Sequence, residues 1–199
     1  PFSTPYYMFN ITPLVRNIII INVVVYLLQN LLQITGLLAL WPIGTDFFQP
    51  YQFFTYMFAH GGMGHIFFNM LAFASFAPIL EHYWGDKRFL IFYLTTGIGA
   101  GVIYAGVNYF VGGGGYMVGA SGAIYGILMA FGMIFPNMEL MLLFPPIPIK
   151  AKYMVFIMGF MTYALDGSGR VAHVAHFGGA LVAFILISIW RSQGRNRGW

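Results

Sequence analysis

Long apolar segments follow one another along most of the chain, and short polar, glycine-rich or proline-rich stretches separate them. A helix needs about 20 apolar residues to cross the hydrocarbon core of a bilayer. Six segments approach this length, at about residues 18–40, 65–83, 89–110, 118–135, 151–165 and 171–190. The pattern therefore predicts an all-α membrane protein, a single domain over residues 1–199 built as a bundle of six transmembrane helices.

Residues 41–64, between the first and second spans, do not fit this pattern. They contain Pro42, Asp46 and Pro50 and are crowded with phenylalanine and tyrosine. Aromatic rings prefer the boundary between membrane and water. We therefore expect a long, structured, membrane-embedded loop that lies in the outer interface.

Residues inside the spans predict how the helices pack. The first span carries four polar residues, and we expect one of its faces to point at protein instead of lipid: Asn22, Gln29, Asn30 and Gln33. The third span carries Gly97 and Gly101, four residues apart. Small residues at this spacing let membrane helices approach closely, so we expect a close-packing pair.

The composition is consistent with lipid as the solvent of this chain. Of its residues, 59% are hydrophobic and only 7% are charged, whereas soluble domains carry about 25% charged residues. The sequence has no cysteine, which excludes disulfides, thiol nucleophiles and thiolate metal ligands. The net charge of +4 does not predict nucleic-acid binding, because the cations are scattered between apolar segments.

The positions of the basic residues predict the topology. If the amino terminus is cytoplasmic and six spans alternate, every Lys and Arg except Arg170 falls in a cytoplasmic segment. Lys and Arg are enriched in the cytoplasmic loops of membrane proteins. The sequence therefore predicts that both termini are cytoplasmic.

One small-residue stretch, residues 119–126 at the start of the fourth span, contains Ser121. Two interpretations stay open from this stretch alone. Gly122 and Gly126 are four residues apart, which favours close helix packing. The small neighbours also leave the hydroxyl of Ser121 accessible as a nucleophile, about one helical turn below the outer boundary.

Two histidines fall at the same predicted depth as Ser121. His176 of the sixth span could take the proton of the serine, because a histidine pKa lies near neutrality. His65 and Asn69 are four apart on one helix face and could stabilise an oxyanion together with the Ser121 backbone N–H. Hydrogen bonding between helices is the alternative role of this pair. Asp166, before the sixth span, is expected to be a turn residue or loop anchor instead of a triad member.

A metal site is a weaker hypothesis. His173 and His176 are three residues apart and could share an ion, but the sequence contains no His-Glu-x-x-His motif with its general base. We therefore predict no metal and no cofactor. His82, at the inner boundary, is expected to be structural.

Three short motifs carry a resemblance to a known family. They are Gly119-Ala120-Ser121-Gly122, His65-Ile66-Phe67-Phe68-Asn69 and Ala175-His176-Phe177-Gly178-Gly179. Their order on spans four, two and six resembles the rhomboid family of intramembrane serine proteases, of bacterial type with a six-span core. The resemblance covers residues 41–183 and includes the stretch 60–65 and Glu81 shortly before Gly85.

The resemblance implies a role for each matching residue. Ser121 would be the nucleophile, His176 the base and acid, and His65 with Asn69 the oxyanion hole. Four supporting positions are also implied: Tyr125 beneath the His176 ring, Gly119 in the serine motif, Gly179 where the sixth helix approaches the fourth, and Glu81 tying the inner loop together. Two positions depart from the family pattern: Tyr51-Gln52 stands where many relatives have Trp-Arg, and Ala183 where many have glycine.

The resemblance implies an endopeptidase that cuts the transmembrane segments of other membrane proteins. It predicts a multi-pass protein of the cell membrane, the inner membrane of a bacterium, with the active site near the outer face. The implied partners are such substrates and the lipid bilayer, with no nucleic acid. Two alternatives stay open: a catalytically silent relative that binds and escorts membrane proteins, and a metal transporter that uses the histidines.

Overall fold

The computed structural model describes residues 11–112, 115–141, 147–165 and 170–195. The elements are, in order, α1 (Pro13–Leu32), α2 (Thr35–Leu38), α3 (Gln52–Thr55), α4 (Met63–Trp84), α5 (Asp86–Val111), α6 (Ser121–Ile134), β1 (Glu139–Met141), β2 (Pro148–Lys150), α7 (Ala151–Leu165) and α8 (Arg170–Arg195). The architecture is a helical bundle, as the apolar segmentation predicts.

Long apolar helices dominate the bundle and suit a membrane. Within the described part of the chain, four helices are long and apolar enough to cross it: Pro13–Leu32, Met63–Trp84, Asp86–Val111 and His173–Gly194. Their outer surfaces expose large side chains such as Leu27, Phe67 and Phe184, for which lipid is the suitable solvent. Two shorter apolar helices, Ser121–Ile134 and Ala151–Phe160, accompany them, so the count of six spans stays a prediction.

The first helix differs from the first predicted span, residues 18–40. It begins at Pro13 and ends at Leu32, and Gln33 follows in a left-handed conformation with φ of 56°. A left-handed residue ends a helix because it turns the backbone away from the helical path. The remaining apolar residues belong to α2 and to an extended segment, so the apolar run continues beyond the helix itself.

Helix α6 is the centre of the bundle. It packs against α4, α5, α7 and α8, and nine of its 14 residues are buried, so little of it faces lipid. At 1.5 Å per residue it is only about 21 Å long, shorter than the hydrocarbon core of about 30 Å. The irregular backbone that precedes it, including Met117 and Ala120, is covered by protein, the condition under which such backbone is tolerated at membrane depth.

The loop between α2 and α4 is held together by the side chain of Gln52. This residue is buried. Its Oε1 accepts hydrogen bonds from the backbone N–H groups of Trp41 and Gln49, and its Nε2 donates to the carbonyl oxygen of Phe47 at 2.9 Å. Residue 52, one of the positions that depart from the family pattern, is therefore an internal support of the loop.

The connection from α6 to α7 contains a short antiparallel ladder between β1 and β2, with Glu139 opposite Lys150. We predict only a proline-rich connection from residues 136–149. Residues 142–146 lie outside the described residues.

Glu81 joins the end of α4 to the start of α1. Its carboxylate accepts hydrogen bonds from the Thr12 hydroxyl and from the backbone N–H of Val15. The first N–H groups of a helix lack intrahelical partners, and a negative charge there is favourable. The contacts of Glu81 therefore support the first turn of α1, whereas the family resemblance implies a tie within the inner loop.

We expect Glu81→Ala to lower the free energy of unfolding by about 1–3 kcal/mol, because buried donors of Thr12 and Val15 lose their acceptor. Thermal unfolding in detergent measures this, and Glu81→Gln should lose less because an amide oxygen still accepts. Glu139→Ala, at an exposed strand position, is the matched control. Equal unfolding temperatures for the two alanine variants would contradict the assignment.

Candidate active site

Ser121 and His176 face each other across the contact between α6 and α8. Ser121 is the first residue of α6, and His176 lies near the start of α8. The Nε2 atom of His176 lies 2.9 Å from the Oγ atom of Ser121, within hydrogen-bonding distance. A histidine in this position can accept the proton of a serine hydroxyl as the oxygen attacks a carbonyl carbon.

Tyr125 fixes the plane of the His176 ring. The two rings are stacked, with centroids 4.1 Å apart and an angle of 10° between their planes. Tyr125 is four residues after Ser121, so the two side chains share a face of α6. The Tyr125 hydroxyl donates to the carbonyl oxygen of Met158 at 2.9 Å, so α7 contributes to holding the pair in place.

We expect Tyr125→Phe to keep the ring stack and to lose the hydrogen bond to Met158. A hydrogen bond of this kind contributes about 1 kcal/mol, so hydrolytic activity should fall less than about tenfold. Tyr125→Ala should lower kcat further, since the His176 ring loses its support. Initial rates on a single-span model substrate measure both effects, and equal rates for Phe and Ala would contradict the role of the stack.

The start of α6 places backbone donors beside the serine. The sequence predicts a fourth span over residues 118–135, with Ser121 about one turn in from the outer boundary, but the helix begins at Ser121. This difference matters because the first N–H groups of a helix have no intrahelical acceptor. If the helix began sooner, the N–H of Ser121 would donate a hydrogen bond to the carbonyl oxygen of a residue one turn earlier. At the first position, the N–H and the positive end of the helix dipole can stabilise an oxyanion.

Backbone pairing fixes the segment that leads into α6. Leu40 and Met117 exchange two hydrogen bonds of 2.9 Å, and the N–H of Gly119 donates to the carbonyl oxygen of Tyr56 at 2.9 Å. The ordered loop after α1 therefore positions the residues immediately before Ser121.

Gly119 permits the close approach of His65. Its φ of 119° lies in a region that favours glycine. A Cβ atom at this position would lie 2.7 Å from both Cε1 and Nε2 of the His65 ring. The imidazole of His65 therefore lies against the backbone two residues before Ser121, and any larger residue at position 119 would displace it.

The contacts of His65 indicate which ring nitrogen carries the proton. The N–H of Gly61 donates to Nδ1 of His65 at 3.3 Å. A neutral imidazole with an accepting Nδ1 carries its hydrogen on Nε2. The Nε2 atom is also the nitrogen nearest Gly119, so His65 presents an N–H donor on the side of α6 where Ser121 begins.

Asn69 lies one turn below His65 on α4 and is buried. Its Nδ2 donates to the His65 carbonyl oxygen at 2.8 Å. An amide nitrogen carries two hydrogens, so this bond leaves a second hydrogen for an oxyanion. The backbone contact within α4 fixes the side chain on the same face as His65.

Gln29, a residue that we predict only to face protein, positions the segment before α4. Its Nε2 donates to the carbonyl oxygen of His60 at 2.6 Å, and its Oε1 accepts from the N–H of His60 at 2.9 Å. The next residue is Gly61, whose N–H reaches His65. The signal in the sequence is a glutamine inside an apolar span, but its partner 31 residues later cannot be read from that signal.

His60, next to the partly buried His65, is itself buried. Its ring lies edge-on to the His65 ring, with centroids 5.1 Å apart. Burial, with a smaller contribution from the electrostatic interaction with His65, lowers the pKa of His60 to about 4. His60 is therefore neutral at physiological pH and places no positive charge beside His65.

Close contact between α6 and α8 brings the serine and histidine together. A Cβ atom on Gly179 would lie 1.9 Å from the carbonyl oxygen of Gly122. Gly179 is one turn after His176, and Gly122 follows Ser121. No other residue type fits at position 179 while the two helices keep this separation.

Three further predictions concern a metal site, His82 and the loop residue Asp166. Within the described ranges, no group of three or more His, Asp or Glu side chains could hold a metal ion. His82 is exposed in the last turn of α4, at the end opposite Ser121. Asp166 lies outside the described residues.

The fold and the site define a helical, multi-pass membrane protein in which a serine at the start of one helix meets a histidine of its neighbour. The Rhomboid domain model matches residues 48–193. The chain therefore belongs to the rhomboid family.

Named relatives agree with this assignment. Rhomboid-like protein 11, chloroplastic, of Arabidopsis thaliana is 26% identical over 85% of this chain and 62% of its own length. Rhomboid-type serine protease 2 of Emericella nidulans is 39% identical over 42% of this chain and 16% of its own length. Rhomboid protein 1, mitochondrial, of Saccharomyces cerevisiae is 27% identical over 64% of this chain and 38% of its own length. The chain thus spans less than two thirds of the length of each of these relatives.

Proposed function

We propose that this protein is an intramembrane serine endopeptidase that cleaves transmembrane segments of other membrane proteins. The observation that carries the proposal is the distance of 2.9 Å between Nε2 of His176 and Oγ of Ser121. The rhomboid family assignment and the similarity to a rhomboid-type serine protease of Emericella nidulans support it.

The proposed reaction begins when the Ser121 oxygen attacks the scissile carbonyl carbon and His176 accepts the hydroxyl proton. Negative charge develops on the carbonyl oxygen, and the N–H groups of Ser121, His65 and Asn69 stabilise it. His176 then donates the proton to the leaving amine, which leaves an acyl-enzyme. Water, deprotonated by His176, attacks the ester and restores the serine.

The substrate must present an extended peptide to this site. A helical amide in a membrane is hydrogen-bonded within its own helix, so the attacked segment has to unwind near Ser121. The site lies at the ends of α4, α6 and α8 where these helices begin. We assign this end to the outer face of the cell membrane, with both termini cytoplasmic, because that orientation places the basic segments inside.

A fluorophosphonate probe tests the nucleophile directly. The purified full chain in detergent should gain the mass of one phosphonyl group, and peptide mapping should locate that group on Ser121. The same preparation should cleave a single-span model substrate within or beside its apolar segment. Absence of both labelling and cleavage from a folded preparation would overturn the proposal.

A catalytically silent membrane-protein binder is the second candidate. The relative that matches the largest share of this chain among those named above is called rhomboid-like instead of a protease. A silent binder would retain a single-span protein after purification but would neither react with the probe nor cut the bound protein.

A further inference from the structure

A cavity opens at the end of the bundle opposite Ser121. It lies where α4 and α6 end, α5 begins and α8 approaches its last turn, and its volume is about 270 Å³. Five of the residues that line it are aromatic or basic: Tyr83, Trp84, Arg88, Trp190 and Arg191. None of them belongs to the site around Ser121.

Two guanidinium groups are fixed at the wall of this cavity. The Arg88 guanidinium lies over the Trp190 ring, 4.3 Å from its centroid, a favourable cation–π distance. Nη2 of Arg191 donates to the carbonyl oxygen of Met133 at 2.6 Å. A guanidinium carries five N–H donors, so these contacts orient both groups without using all their donors. Among the described lining residues there is no carboxylate to neutralise them.

The aromatic rings place the cavity at a membrane boundary. Tyr and Trp collect where the hydrocarbon core meets the headgroups, and Trp84 and Trp190 contact each other there with centroids 5.5 Å apart. Phospholipid phosphates lie at the same level. Basic pockets between transmembrane helices suit anionic headgroups, and guanidinium groups suit the oxygens of a phosphate.

We propose that this cavity binds the headgroup of an anionic phospholipid. Arg88 and Arg191 contact the phosphodiester, and the rings of Trp84 and Trp190 pack against the glycerol. A free phosphate ion would satisfy the two arginines but would leave the walls formed by Ile134 and Ile187 exposed to water. A zwitterionic lipid would bring its own cation towards two guanidinium groups. Both alternatives therefore fit the cavity less well.

Native mass spectrometry of the full chain tests the proposal. Protein in detergent is mixed with equal amounts of phosphatidylglycerol and phosphatidylcholine, and the retained lipids are counted. We expect preferential retention of phosphatidylglycerol by about 25-fold, because each of the two arginines near the headgroup contributes about fivefold. Arg88→Gln and Arg191→Gln should each reduce this preference by about fivefold. Lys87→Gln makes the same charge change at an exposed neighbour that does not line the cavity, and it should leave the preference unchanged.

Three results would overturn the proposal: equal retention of both lipids by the unaltered chain, an equal loss in Lys87→Gln, or displacement of phosphatidylglycerol by inorganic phosphate. A measurement on the unaltered chain removes any dependence on variant folding. Brominated phosphatidylglycerol should quench tryptophan fluorescence more than brominated phosphatidylcholine at the same concentration, since Trp84 and Trp190 line the cavity. Equal quenching would also contradict the assignment.

Discussion

Ser121→Ala should reduce cleavage of a single-span substrate by at least about 10⁴-fold, the scale at which loss of a catalytic serine acts in serine proteases. The variant removes the oxygen that attacks the carbonyl carbon. It leaves the start of α6 in place, because alanine fits wherever serine does. His176→Ala should have an effect of similar size, since an unassisted hydroxyl is a weak nucleophile. Initial rates with excess substrate measure both.

Control substitutions of the same residue types elsewhere separate the loss of a catalytic group from a general effect of the substitution on packing. Ser75→Ala removes a hydroxyl that bonds only within α4, to the carbonyl oxygen of Leu71, and it should retain nearly full activity. His82→Ala removes an exposed histidine at the opposite end of α4 and should do the same. The double variant Ser121→Ala/His176→Ala should be no slower than the single variants, because the two residues act as one unit. A Ser121→Ala variant that keeps a tenth of the activity would refute the nucleophile assignment.

The apolar segmentation predicts the all-α membrane fold because a bilayer restricts spanning structure to a few solutions. The ends of the helices depend on local geometry that hydropathy does not contain. The first predicted span runs to residue 40, whereas α1 ends at Leu32 because Gln33 adopts a left-handed conformation. Apolar side chains beyond that point belong to α2 and to an extended segment that includes Leu40, so the hydropathy signal alone cannot distinguish helix from apolar loop.

Polar residues in the first span are a partial guide to its buried face. Asn22 and Gln29 are buried, as we expect for residues that face protein, but Asn30 and Gln33 are exposed. The amide nitrogens of this exposed pair donate to backbone carbonyl oxygens of the same segment, Asn30 to Tyr26 and Gln33 to Asn30. Residue type therefore indicates that a polar group needs a partner, but it does not indicate whether that partner is local or distant.

Glycine spacing predicts close packing without identifying the partner. A Cβ atom on Gly97 or Gly101 would meet the side chains of Met57 or Tyr56. These partners belong to the segment that follows α3 and not to another long helix. Gly122 and Gly126 instead pack against Ala100 and Thr96 of α5. The packing interpretation of residues 119–126 is thus compatible with an active serine, because the glycines and Ser121 use different faces of α6.

The sequence could predict which residues form the candidate site. A serine among small neighbours and histidines at the same predicted depth are enough for that hypothesis. The contacts that orient these residues could not be predicted. Gln29 bonds to the backbone of His60, and the neighbouring Gly61 bonds to His65. These contacts depend on the relative register of α1 and α4, which a single sequence does not specify.

Gly179→Ala should lower kcat by about 100-fold, the cost of displacing reacting groups by roughly 1 Å. The added Cβ would lie 1.9 Å from the carbonyl oxygen of Gly122, whereas real Cβ atoms keep at least 3.0 Å from such neighbours. Helix α8 must therefore move away from α6 and carry His176 with it. The distance of 2.9 Å between Nε2 and Oγ leaves little room for this movement. Steady-state cleavage rates and fluorophosphonate labelling rates should fall together.

Overpacking of this kind also lowers stability, by about 1–3 kcal/mol, so thermal unfolding should be measured beside activity. Gly106→Ala is the matched control, because a Cβ on this glycine of α5 would meet nothing within 4 Å. It should keep its activity and unfold at the same or a higher temperature, since alanine favours a helix more than glycine does. If Gly179→Ala cleaves substrate as fast as Gly106→Ala, the close contact between α6 and α8 does not set the distance between serine and histidine.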